Sequence, residues 1–341
     1  MPDNWNMLGH EWAVELLRKQ VAQAATRHAY LFAGPPGVGR RTLALRFAQA
    51  LNCDQPSAPG EPCGVCRNCR EIDKQQHPDL ILVEAESEGR VLPVEQVREA
   101  LHTLMLRPYQ SRFRVALFPR FQEANPSSAN ALLKTLEEAP SYAVLILTAD
   151  NPEQLLPTIV SRCEILRLRP LPIEQVEPFV EARMAGAIAE GKDVQAASQA
   201  GARLIAHISG GRPGYAVQLI ENPSALAFRA EKLDDLQTLL GGTRVKKFSY
   251  AEKLASDKDT LRNALLLWLL FWRDVLLRAG GASAPPANID RLEEIESLAK
   301  RLSLPEARHV VSDLEQALKH LEANVNPRLL AEVLLLDWPK A

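Results

Sequence analysis

Four cysteines, Cys53, Cys63, Cys66 and Cys69, form a C-x9-C-x2-C-x2-C array. Thiolates at x2 spacing wrap one tetrahedral ion, and the upstream cysteine reaches in as the fourth ligand. All four positions are cysteine, so none is left for a reactive water. A structural zinc is therefore expected, holding an otherwise coreless excursion. The alternative is a set of free thiols. With Cys163 the cysteines number five. An odd count with four crowded together argues against a disulfide framework and for a reducing cytoplasm.

The second chemical signature is Gly34-Pro-Pro-Gly-Val-Gly39, set between an apolar run and a helical stretch. Its glycines let backbone N–H groups converge on phosphates at a helix N-terminus. A competent loop continues with Lys and then Ser or Thr. Here Arg40 and Arg41 follow, and Thr42 comes one residue late. Arginine has a broad planar head where lysine offers a compact charge. Arg41 has no hydroxyl for Mg²⁺. An active phosphate-loop ATPase also ends a later strand in an acid pair that holds Mg²⁺ and helps position water. Here the run ending at Phe118 continues into Pro119-Arg120. The residues favour a loop kept for packing without ATP hydrolysis. Weak nucleotide or anion binding at Gly34, Gly37, Gly39 and Arg40 is the alternative.

These residues need elements to position them. Short apolar runs at 29–33, 79–83, 114–118 and 143–148 read as buried strands. Helical stretches at 42–51, 94–106 and 128–138 alternate with them, which predicts a parallel sheet covered on both faces. Pro170-Leu-Pro172 ends that pattern. Helices are expected over 173–189, 194–209 and 215–220, with a turn at 210–214. Beyond Asn222-Pro223 the chain reads as helical to Trp338, with a loop at 280–286. Three regions follow: 1–169 with the zinc-binding insertion at 53–69, 170–221, and 222–341.

The 341 residues carry 40 Lys+Arg against 42 Asp+Glu, a net charge of −2. That excludes a polycationic nucleic-acid packager but not a local basic patch. No apolar leader stands at the N-terminus. The most apolar window, 264–272, is about half the length that spans a bilayer. No membrane segment and a cytoplasmic location are expected.

The combination of residues 28–39, the four cysteines, Asn130-Ala-Leu-Leu-Lys-Thr-Leu-Glu-Glu138 and Ile159-Val-Ser-Arg-Cys163 resembles bacterial clamp-loader subunits of the AAA+ class. The motifs span the first two thirds of the chain. The resemblance implies an α/β AAA+ phosphate-loop domain with a parallel sheet, then a small helical lid and an all-α collar for oligomerisation. It implies structural zinc as cofactor. The implied partners are the motor subunit gamma/tau, the delta subunit, the sliding clamp, and primed DNA reached through the complex. It also implies that Arg162 serves as an arginine finger in trans, completing a neighbour's ATP site. Against that stands a surface arginine paired with a local carboxylate such as Glu164.

Arg40-Arg41, Pro119-Arg120 and Gly214 at the family's sensor-arginine position all depart from the motor subunits. They point to a stationary member without intrinsic ATPase. The alternatives are an active ATPase of the gamma/tau type and a zinc-bearing DNA-binding accessory protein. Thr148 reads as a strand-end residue, and Cys163 as a packing residue. The Trp268, Phe271, Trp272 run reads as core. Arg107, Arg112, Arg114 and Arg120 read as a solvated, partner-facing surface rather than a phosphate site.

Overall fold

A computed structural model describes residues 4–86, 90–323 and 325–339. Two compact units divide the chain. One comprises Met1–Val176 with Gly211–Tyr215, and the other Glu177–Gly210 with Ala216–Ala341.

The first unit is built on a five-stranded sheet: β1 (Ala29–Ala33), β2 (Leu80–Leu82), β3 (Arg114–Phe118), β4 (Ala143–Ala149) and β5 (Glu164–Arg167). The order is β2-β3-β4-β1-β5, and every pairing is parallel. Successive side chains on a strand point to opposite faces. Tyr30, Phe32, Val115, Leu117, Val144 and Ile146 enter one core layer. Ala29, Leu31, Ala116, Phe118, Leu145 and Leu147 enter the other. This two-sided burial explains why these strands read as continuous apolar runs.

Helices α1 (Glu11–Ala22), α2 (Arg40–Asn52) and the short α3 (Arg67–Asp73) come before β2, while α4 (Val94–Leu104), α5 (Pro126–Ala131), α6 (Leu133–Glu138) and α7 (Pro157–Val160) follow it. Residues of α1 and α2 line the first core layer, and those of α4 to α7 the second. The single helix expected over 128–138 is two. The ladder tightens where the Leu132 N–H bonds the Ala129 carbonyl at 3.3 Å. Strand β5 has no counterpart in the sequence reading, because four residues with charged ends carry little periodic signal.

The second unit is helical. Helix α8 (Ile173–Ala189) begins in the first unit. The stretch expected as one helix over 194–209 breaks at Gly201, φ +80°, into α9 (Gln195–Ala200) and α10 (Ala202–Ser209). Then come α11 (Pro213–Glu221), α12 (Pro223–Leu240), α13 (Arg244–Leu254), α14 (Lys258–Ala279), α15 (Leu292–Arg301), α16 (Leu304–Glu322) and α17 (Pro327–Asp337). Trp268, Phe271 and Trp272 on α14 are buried, as their spacing predicts, and Trp338 packs edge-on to Trp268 with ring centroids 5.0 Å apart. The buried Asp274 carboxylate accepts the N–H groups of Ala287 and Asn288 and the Asn288 amide, which ties the 280–288 loop to α14. No helix among the described residues is long and apolar enough to cross a membrane.

Candidate functional site

The sulfurs of Cys53, Cys63, Cys66 and Cys69 lie within 4.8 Å of one another. Four sulfurs around one zinc at ~2.3 Å stand about 3.8 Å apart. The Cys53 and Cys66 sulfurs are 4.0 Å apart, so the set fits a tetrahedral thiophilic ion. The local backbone favours thiolates. The Cys63 N–H points at the Cys53 sulfur, the Cys66 N–H at Cys63, and the Cys69 N–H at Cys66. Burial pushes the Cys63 thiol up. The N–H groups of Cys66 and Val65, with thiol hydrogen bonds from Cys53 and Cys66, outweigh it and bring the group to about 7. Burial raises Cys53 and Cys69. Bringing such thiols together as thiolates is what a bound cation compensates.

The excursion is less coreless than its sequence suggests. Cys66 caps α3 through its sulfur, and Ile72 is fully buried. The Asn68 amide reaches the Asn52 carbonyl at 2.9 Å, and the Gln49 amide reaches the Cys69 carbonyl at 2.7 Å. These bonds fasten α3 to the C-terminal end of α2. A hydroxyl and amide cluster around His77, formed with Asn68 and Ser111, extends the attachment.

The phosphate loop joins β1 to α2, with Gly34, Gly37 and Gly39 all at positive φ. Gly37 tolerates no side chain, since a Cβ there would stand 2.7 Å from the Tyr215 backbone nitrogen. Gly214 donates its N–H to the Gly37 carbonyl at 2.8 Å.

The two arginines after the loop are both engaged. Arg40 is buried and pairs with Asp150, just past β4, at 2.8 Å. Arg41 forks onto the Glu84 carboxylate, at 2.8 and 3.3 Å, and bonds Gln75. Arg120, at φ +50°, bonds Glu123 at 2.9 Å and lies 3.8 Å from Glu84. Its backbone N–H donates to the Thr148 hydroxyl at 3.0 Å. Three cations at the C-terminal edge of the sheet thus face three carboxylates.

Arg162 follows α7 and is partly exposed. It pairs with Glu137 of α6 at 2.7 Å and bonds the Thr158 carbonyl at 3.0 Å. Its partner is not Glu164, which instead takes Arg27 and Gln20. Burial raises the Cys163 thiol to about 12, as suits a packing residue.

One surface reading is corrected. Arg114 belongs to no exposed cluster. It is buried against Asp79, which is fully buried, at 2.9 Å. Asp79 also accepts the N–H groups of Tyr109, Gln110 and Ser111. Arg107 and Arg112 remain exposed.

The family model described as DNA polymerase III, delta subunit, matches residues 9–172. The model for the C-terminal part of that subunit matches residues 224–340. The DNA polymerase III subunit delta' of Pseudomonas aeruginosa is 30% identical over 344 residues, covering 96% of this chain and 97% of that protein. The tau subunit of Salmonella typhimurium is 37% identical over 176 residues, 52% of this chain. The chain spans only 27% of that longer relative. Among solved structures, a gamma subunit-related protein of Thermotoga maritima aligns with 95% of this chain and 97% of its own, at 17% identity and a TM-score of 0.47.

Proposed function

The chain belongs to the family of DNA polymerase III delta' subunits, and from that premise we propose that it is the stationary, non-catalytic subunit of a clamp loader. In this reading it assembles with gamma/tau motor subunits and a delta subunit, and helps place the sliding clamp on primed DNA in the cytoplasm. Residues 1–169, 170–221 and 222–341 serve as AAA+ domain, lid and collar.

The observation that carries the absence of catalysis is the neutralised edge of the phosphate loop. Arg40, Arg41 and Arg120 are held by Asp150, Glu84 and Glu123. A nucleotide would have to compete with carboxylates already in place. Pro119 and Arg120 offer neither a metal ligand nor an acid to orient water. The Arg40→Lys, Arg41→Thr double variant, assayed alone, is expected to show no ATP turnover above background. Turnover by that variant or by the natural chain would overturn the reading.

Arg162 supplies the active contribution. An arginine delivered in trans stabilises charge on the transferring phosphoryl and is worth about 10³–10⁵ in rate. The Glu137 pair is a surface ion pair, of the kind that contributes ~0–1 kcal/mol. Release of Arg162 toward a neighbour therefore costs little.

The four cysteines hold structural zinc in this reading. These four side chains would hold the ion, which would supply a cross-link closing the 53–69 loop. Cys66 and Cys69 anchor it from α3, while Cys53 and Cys63 bring in the two ends of the intervening segment.

A further inference from the structure

We propose that the metal at the four cysteines also governs the N-terminal strap, residues 4–10, and through it the phosphate loop. The inference rests on the zinc reading above. It extends the role of that site from holding its own loop to ordering a second one.

The strap has an unusual backbone. Trp5, Asn6 and His10 lie at φ +51°, +56° and +60°. Non-glycine residues enter this left-handed region at a cost, and persist there only where the surroundings over-determine them. Two sets of contacts do so. At one end, Trp5 is 2% exposed, and its indole N–H donates to the Gly60 carbonyl at 3.2 Å. At the other, His10 is buried and its Nε2 lies 3.1 Å from the Val38 carbonyl, inside the phosphate loop. Between them, the Asn4 amide ties the carbonyls of Met7 and Gly9 at 2.8 Å each.

Gly60 lies in the segment between Cys53 and Cys63, which contains no helix or strand. Its path is set by where its ends are pinned and by its contacts with α1. Gly60, at φ +81°, passes so close to α1 that a Cβ would stand 2.5 Å from the Arg18 carbonyl. Glu61 pairs with Arg18 at 2.5 Å. With the metal in place, both ends of the segment are fixed, and the Gly60 carbonyl is presented to Trp5. Without it, neighbouring thiols need no longer stay within 4.8 Å, and the segment loses its anchor at Cys63 while the Cys53 end stays on α2. Trp5 then loses its acceptor, the left-handed residues relax, and the His10–Val38 contact goes with them. Local order of this kind opens in cooperative units, at free energies below that of global unfolding. Occupancy of the metal site is thereby read at the phosphate loop as a coupling between two sites.

The test is hydrogen exchange with mass spectrometry on the full chain, with zinc per chain measured alongside. On removal of zinc by a chelator, amides of residues 5–10 and 37–40 are expected to exchange at least tenfold faster. Amides of β3 and α14 should keep their rates. Trp5→Phe retains the ring bulk but lacks the N–H. In the zinc-loaded state it should speed exchange of the strap several-fold while binding the same amount of zinc.

The coupling is overturned if zinc is lost and the strap keeps its rate, if every segment accelerates equally, or if Trp5→Phe exchanges like the natural chain. A protein that neither contains zinc nor takes it up when Zn²⁺ is added sinks the zinc reading and this proposal together.

Discussion

Arg40 and Asp150 form an ion pair of 2.8 Å in which the two ends are unequally hidden: the arginine side chain is 8% exposed and the aspartate 35%. One Arg40 nitrogen and the Asp150 oxygen that faces the guanidinium are both buried with no hydrogen bond of good geometry. The cation therefore depends on the pair more than the anion does. Asp150→Asn leaves a buried guanidinium short of its counter-charge and is expected to cost about 2–3 kcal/mol, below the full penalty for a wholly buried pair. Arg40→Met leaves a carboxylate with one buried oxygen on a side chain that is still 35% exposed, and should cost less. Urea unfolding of the two variants checks the order. A larger loss for Arg40→Met would show that packing, not charge pairing, fixes the loop.

Asp79 should make stability depend on acid. Burial pushes its carboxyl up, but the N–H groups of Gln110 and Tyr109, then Arg114 and Ser111, outweigh it and hold the group below its ordinary value of 3.8. A carboxyl depressed in the folded state stabilises fully above the unfolded pKa. That contribution is lost as pH falls through the folded one. Asp79→Asn is expected to cost about 3 kcal/mol at pH 7, because Arg114 is left buried without its partner. The gap to the natural chain should narrow as pH falls below about 4. Denaturant midpoints measured from pH 7 to pH 3 test this, and a constant gap would refute it.

Arg162→Ala should leave the chain folded and able to assemble, while lowering clamp- and DNA-stimulated turnover at the one neighbouring ATP site it completes by about 10³-fold or more. The matched control is Arg167→Ala. Arg167 is a nearby exposed arginine, paired with Glu153 at 3.1 Å. Equal small effects from the two variants would reduce Arg162 to an ordinary surface ion pair.

The natural chain should carry about one zinc. Cys69→Ser should abolish it and Cys163→Ser should not, since Cys163 lies outside the cluster. Stability lost with the metal should fall well short of the ~10–16 kcal/mol apparent in peptides that have no other core, because the sheet has its own. Metal analysis combined with thermal unfolding decides both points. Equal zinc in the two serine variants would break the ligand assignment.

Sequence by itself determined the features whose signal is local. Cysteine spacing marked a four-thiol array because residues close in sequence are close in space. Continuous apolar runs marked β1, β2, β3 and β4, since strands covered on both faces need apolar residues at every position. The glycines of residues 34–39 marked a tight strand-to-helix turn. The missing lysine and missing acid pair carry the expectation of no ATP hydrolysis, which the turnover assay decides.

What tertiary structure alone decided is the fate of the charges. Arg40, Arg41, Arg114 and Arg120 look alike in a sequence. A guanidinium is buried, neutralised or free according to which carboxylate the fold brings to it, and Asp150, Glu84 and Asp79 arrive from other strand ends. The same holds for the backbone partners of glycines. Nothing near Gly37 announces that Gly214 and Tyr215 will press against it. Periodicity reports which face of an element is apolar; only the meeting of distant segments settles which polar groups satisfy one another.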